Sequence, residues 1–261
     1  VQNYAFSRFA INYFHSMNMF GARILRLRSV DSTSNYVAKA IDRGEYTEGT
    51  VILAHFQTEG RGQRGSVWQS SEGANLTFSF ALDIGFLPLH QQFLVAKAIS
   101  LGVSDYLQSI FGQEVWIKWP NDILLDHAKI SGMLIEMKGT VPRYAIVGIG
   151  LNVNEKDFPS EFKATSLALE FGLELMPGEV LRDLIGFLGN RIAQLRAGDN
   201  ASIRTAYMNR LFGHQSWVEF AAAGRTFQGS ITDVDDSGVL ITRSRQGGAY
   251  SFRAKEVTIR Y

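Results

Sequence analysis

"TVILAHFQTEGRGQRGSVW", Thr50 to Trp68, joins an apolar run to ten residues rich in glycine and arginine. The first half reads as a buried strand. In the second half, glycine lets backbone N–H groups come close to an anion, and Arg61 and Arg64 add charge that pairs with phosphate or carboxylate. This is not a Walker loop: Gly60 and Gly65 have the right spacing, but Ser66 stands where lysine is required. Nor is it a dinucleotide fingerprint, because no well-patterned helix follows. Taken alone, the stretch is either a nucleotide-binding loop or a surface loop with solvated arginines.

Outward from this stretch the chain is ordinary globular material: 261 residues, 46% hydrophobic and 20% charged. A net charge of +1 disfavours nucleic acid as a partner, and no apolar run reaches membrane-spanning length. The absence of cysteine excludes disulfides, thiolate metal sites and cysteine nucleophiles. The five histidines show no metal-ligand spacing, and no protein metal site is assigned. Arg8, Arg23, Arg26 and Arg28 with no acidic residue in the first 28 faintly resemble a transit peptide; Asn3, Asn12, His15 and Asn18 interrupt the apolar stretch and argue against a secretory signal, and a cytoplasmic protein is expected.

Upstream, "ARILRLRSV" reads as a strand and "DSTSNYVAKAIDRG" as a capped helix stopping at Gly44. Downstream, "ANLTFSFAL" alternates as a strand, and apolar residues from Leu89 to Ile110 recur at helical spacing. Four short strands follow to Val153, then a loop with a short helix at "SLALEFG", a helix over 178–197 and a shorter one ending near Gly213. Five short strands close the chain, and "DVDDSG" near Asp233 reads as a hairpin turn. The expected organisation is an N-terminal extension over 1–23, a main unit over 24–211 and a small β unit over 212–261.

Three further stretches sharpen the reading of the loop. "KWPND" places Lys118, Asn121 and Asp122 between two strands; "KISGMLIE" starts at Lys129 and includes Gly132; "GIGLNVN" puts Gly148 and Gly150 before Asn152. A glycine such as Gly132 weakens a strand unless something approaches its backbone closely. Each stretch also has a plain reading, as a tight turn or a bulged strand. In order, "VDSTS", "FQTEGRGQRGSVW", "KWPND", "KISGMLIE" and "GIGLNVN" followed by a small β unit resemble the biotin–protein ligases over residues 24 to 261.

That resemblance implies an α+β fold: a class II aminoacyl-tRNA synthetase-like catalytic domain, with a mainly antiparallel mixed sheet, followed by an SH3-like β-barrel. It implies adenylation of biotin by ATP with Mg²⁺ and transfer of biotin to a lysine of a biotin carboxyl carrier domain. About two dozen residues before the first strand are too few for the family's winged helix, so a monofunctional enzyme is expected, with a homodimer allowed. Matched to the family motifs, Ser32, Thr33, Ser34, Gln57, Arg61, Gly62, Gln63, Lys129 and Gly132 form the biotin set. Arg61, Arg64, Trp68, Lys118, Asn121, Lys129 and Asn152 form the nucleotide set. Trp68 is expected as a wall for adenine, with a core tryptophan as the alternative. Arg61, Lys129 and Asp122 are the expected catalytic groups, Asp122 taking the proton of the carrier lysine; a turn-forming Asp is the alternative. Two departures stand out. Ser34 occupies a position where many relatives have asparagine, with Asn35 one place later, and Gln63 replaces an arginine. The rival readings are a lipoate or octanoate ligase and a non-catalytic module that binds biotinyl-AMP.

Overall fold

A computed structural model describes residues 20–112, 114–139, 143–159 and 163–260; the first 19 residues of the expected N-terminal extension lie outside them. Strand β1 (Arg23–Val30) pairs in parallel with β2 (Thr50–Gln57). Parallel neighbours need a crossover, and helix α1 (Thr33–Asp42) supplies it. Every other neighbour in this seven-stranded sheet is antiparallel. The strands β3 (Leu76–Asp83), β4 (Val115–Lys118), β5 (Asp122–Leu125), β6 (Ala128–Lys138) and β7 (Tyr144–Leu151) complete the order β1-β2-β3-β7-β6-β5-β4.

The two sheet faces are covered differently. On one, Phe78, Phe80, Leu82, Val147 and Ile149 join a single large core with α2 (Phe93–Phe111) and α4 (Pro177–Arg196). These helices touch closely because position 102 is glycine: a Cβ there would stand 2.9 Å from Leu188 Cδ2 and 3.1 Å from its Cα. On the other face, α1 covers β1–β3 and the start of β7 through a small cluster of Val37, Ile52, Ala81 and Ile146. The remainder of that face carries Gly132, Gly148 and Gly150, and the candidate site lies there.

After the short helix α3 (Leu167–Phe171) and α4, α5 (Asn200–Asn209) leads into a second sheet. Its antiparallel strands are β8 (Val218–Ala222), β9 (Arg225–Val234), β10 (Leu240–Ser244), β11 (Ala249–Phe252) and β12 (Thr258–Arg260). Ala223 and Gly224 both take positive φ in the β8–β9 turn, the two-residue hairpin that matches strand twist. The order is β11-β10-β9-β8-β12, and among the described residues no ladder joins β11 to β12. The barrel implied by the resemblance is therefore not closed: the edge strands are only four and three residues long, and the sheet stays open. No helix among the described residues is long and apolar enough to cross a membrane.

The sheets share one core, in which Phe220, Ile231, Val234 and Leu240 pack with Leu94, Ile117 and Leu211. An ion cluster built on a buried lysine reinforces the junction. Lys97, 1% exposed, donates to the Val234 carbonyl at 2.7 Å and to Asp236 at 3.0 Å; Arg204 reaches the same carboxylate at 2.5 Å.

Candidate active site

Strand register creates the floor. Gly132 pairs with Gly150 and Leu134 with Gly148, which puts three missing side chains on one face of β6 and β7. A Cβ at Gly150 would lie 2.3 Å from Trp68 Cε2, one at Gly148 2.6 Å from Ser34 Oγ, and one at Gly132 3.2 Å from Lys129 Nζ. Close approach to the backbone, the reason anticipated for a strand glycine, occurs at all three positions.

One wall is the N-terminus of α1. Ser32, Thr33 and Ser34 are buried, and Ser32 takes the extended N-cap conformation without a side-chain cap bond. Gln57 Oε1 accepts from the Thr33 N–H at 2.8 Å and from its hydroxyl at 3.0 Å, so β2 orients the helix start. Ser79 Oγ joins the Thr33 and Ser34 hydroxyls at 2.6 and 3.0 Å. Asp31 accepts from the Ser32 N–H at 2.7 Å; this bond first, then Lys39 and Asn35, outweighs burial and holds its carboxyl below the usual range. Ser79 was not anticipated; a serine in an alternating strand gives no signal until the strand's neighbours are known.

The glycine–arginine stretch forms the opposite side, folded as a tight hairpin. Trp68 donates to the Gly60 carbonyl at 3.0 Å, Gly62 to that of Ser66 at 2.7 Å, Arg61 bridges Val67, and Gln63–Gly65 make one 3-10 turn. Gly65, at φ +85°, closes the turn in a conformation that favours glycine. Arg61 Nη1 donates to Asn35 Oδ1 at 2.8 Å and to Glu136 at 3.1 Å, and Nη2 to Glu136 at 2.5 Å. Neither partner belonged to the expected set. The Trp68 ring lies over the glycine floor with Lys129 Nζ 5.8 Å from its centroid, and its buried Nε1 finds no hydrogen-bond partner. The side chain of Arg64 lies outside the described atoms.

The third element is ionic. Asp122 opens β5 opposite Lys118, and its carboxylate meets Lys129 Nζ at 2.7 Å. Burial pushes the Lys118 ammonium below the usual lysine range; the Asp122 charge opposes this and Lys129 adds to it. Two positive groups and one carboxylate thus leave a net cationic end, suited to an anion that forms or changes hands. Asn121 and Gln63 stand beside this end of the site. They line a neighbouring cavity of about 450 Å³ with Phe93, Met133 and Gly238, and Met133 lies on the face of β6 opposite Gly132. Asn121 Nδ2 donates to the Met133 carbonyl at 2.6 Å. Asn152, 5% exposed, uses its amide nitrogen on the carbonyls of Thr165 at 2.9 Å and Lys129 at 3.4 Å, tying the end of β7 to the segment before α3. No group of three or more His, Cys, Asp or Glu side chains fit for a metal occurs among the described residues.

The profile of the biotin/lipoate A/B protein ligase family matches residues 27–154. A biotin–[acetyl-CoA-carboxylase] ligase of Paracoccus denitrificans is 32% identical over 233 residues, covering 85% of this chain and 94% of that one. A bifunctional ligase/repressor of Bacillus spizizenii is 30% identical over 226 residues, 84% of this chain and 69% of the relative. Among solved structures, a biotin protein ligase from Aquifex aeolicus in complex with biotin and ATP superposes with a TM-score of 0.76 at 25% identity, covering 92% of this chain and 99% of that chain. The chain belongs to the biotin/lipoate A/B protein ligase family, and within it to the biotin protein ligases.

Proposed function

We propose that this protein joins biotin to a carrier protein in two steps. A biotin carboxylate oxygen attacks the α-phosphorus of MgATP, the bond to pyrophosphate breaks, and biotinyl-5′-AMP forms. A lysine amine of a biotin carboxyl carrier domain then attacks the anhydride carbonyl, AMP leaves, and the amine's proton passes to the protein. The single observation that carries this reading is the convergence of Trp68, Lys129 and the α1 N-terminus on the triple-glycine floor. In this reading residues 24–211 are a class II synthetase-like catalytic domain, and 212–261 an SH3-like unit whose sheet is open.

Each group has work that suits its chemistry. The start of α1 offers buried hydroxyls to the polar ring of biotin, and the glycine floor lets Trp68, Ser34 and Lys129 sit close against the strands beside it. Lys129 and Arg61 supply positive charge where carboxylate and phosphate meet. Asp122 receives the proton of the attacking amine. A lysine with a pKa near 10.4 is neutral in only about one molecule in a few thousand at pH 7, so a positioned base lowers a barrier of about 4–5 kcal/mol.

The test has two arms: pyrophosphate exchange into ATP with biotin or lipoate, and the mass of a carrier domain after incubation with biotin and MgATP. Biotin-dependent exchange with addition of one biotinyl group supports the proposal. Exchange with lipoate alone assigns the chain to lipoate ligation, and biotin exchange without carrier labelling assigns it to adenylate binding only.

A further inference from the structure

Arg61 makes three side-chain hydrogen bonds, more than a solvated loop cation requires. Two of its nitrogens reach both oxygens of Glu136 while Nη1 also reaches Asn35, and Asn35 is itself oriented by Asp31 at 3.2 Å. Glu136 projects from the same face of β6 as Gly132 and Leu134, so its carboxylate lies on the site's side of the sheet. Arg61 is in register with Val67, next to Trp68, within one hairpin. Fastening the guanidinium therefore tethers the hairpin that carries Trp68.

Resting on the adenylation reading above, we propose that Glu136 and Asn35 are positioning residues for Arg61, with Glu136 holding the guanidinium until the phosphate of the adenylate displaces it. A planar guanidinium accepts carboxylate and phosphate through the same two-pronged geometry, so the exchange keeps it paired throughout. The exchange is close to balanced because Arg61 is 41% and Glu136 35% exposed: water takes up the released carboxylate, and an exposed pair holds only weakly. Asn35 does the neutral part of the work. Although one place later than the family motif puts its asparagine, it ties α1 to the hairpin.

The experiment compares Glu136→Gln with Glu59→Gln, an equal change of charge at an exposed position on the same hairpin, and with Asn35→Ala. Trypsin cleavage after Arg61 and Arg64 in ligand-free protein reads hairpin opening, and pyrophosphate exchange reads KM for ATP. Glu136→Gln is expected to speed cleavage and lower KM by about 1.5- to 5-fold each, the equilibrium weight of an exposed ion pair, with kcat within about twofold. Asn35→Ala is expected to speed cleavage without lowering KM, since no competing charge is lost. Cleavage and KM in Glu136→Gln equal to those in Glu59→Gln would overturn the proposal. Absence of biotin-dependent exchange in the unaltered protein overturns the adenylation reading instead, and the cleavage arm alone then decides whether Glu136 holds the hairpin.

Discussion

Asp122 and Lys129 lie 2.7 Å apart, so each neutralises the other where acyl transfer is proposed. Replacing Asp122 separates two roles. Asp122→Ala is expected to slow transfer from preformed adenylate to carrier by roughly 100- to 10,000-fold, the usual weight of a general base, while adenylation changes far less. Asp122→Glu should retain more of the transfer rate, and near-normal rates in both variants would remove Asp122 from the mechanism. Gly150 offers a second test at this scale. Its Cβ would enter the Trp68 ring, so Gly150→Ala must move the ring or the strand, at about 1–3 kcal/mol for an overpacked contact. We expect a changed tryptophan emission and weaker biotin binding by calorimetry; unchanged affinity would show that the ring's position is immaterial. Asp122, Lys129 and Trp68 were legible as residues with chemistry, because their motif neighbours announced them. Glu136 and Ser79 were not: each sits in an ordinary strand, and its partner is 75 or 46 residues away.

At the scale of elements, the turn between β9 and β10 is the most heavily tied piece of the second sheet. Its Gly238 carbonyl accepts from Trp119 Nε1 at 3.2 Å, and its Asp236 carboxylate is shared by Lys97 and Arg204. Burial alone would raise the Asp236 pKa; the hydrogen bonds of Arg204 and Lys97, with their charges, outweigh it and hold the group below its ordinary value of 3.8. A carboxyl depressed on folding stabilises the protein fully above its unfolded pKa and loses that contribution as pH falls through the folded one. Asp236 should therefore begin to cost stability below about pH 4. Urea midpoints measured from pH 6 to 3 should fall, and Asp236→Asn should be less stable at pH 6 yet show a shallower acid decline. An identical pH slope in the variant would exclude Asp236 as a contributor. The helices and strands themselves were readable because their apolar spacing is local. Lys97 lies inside a helix whose local spacing signals only an apolar face, yet it is buried at the junction.

Across the whole molecule, the division at residues 211–212 separates two sheets but not two cores. The main-chain bonds of Ile117 with Arg210 and Phe212, at 2.8 Å each, stitch the first sheet to the segment entering the second. With apolar side chains of both sheets in one cluster, unfolding should be a single event. Tryptophan fluorescence and far-ultraviolet circular dichroism should give coincident urea transitions. Two separated transitions, or a fragment 212–261 that folds alone, would show that the shared core does not couple the sheets.

The amino-acid sequence by itself determined the kinds of element, the anion-binding character of the glycine–arginine stretch and the family to which the motifs belong. These depend on residues two, three or four apart, or on short runs whose chemistry is local. Tertiary structure alone decided that Gly132 faces Gly150 across two strands, that Trp68 lies upon them, and that Glu136 reaches Arg61. It also decided that the last five strands stay open and that Asn121 lines a cavity on the other side of β6. Strand register and edge pairing are set by contacts between distant segments, and a side chain's face alternates with every residue, so no local pattern carries that information.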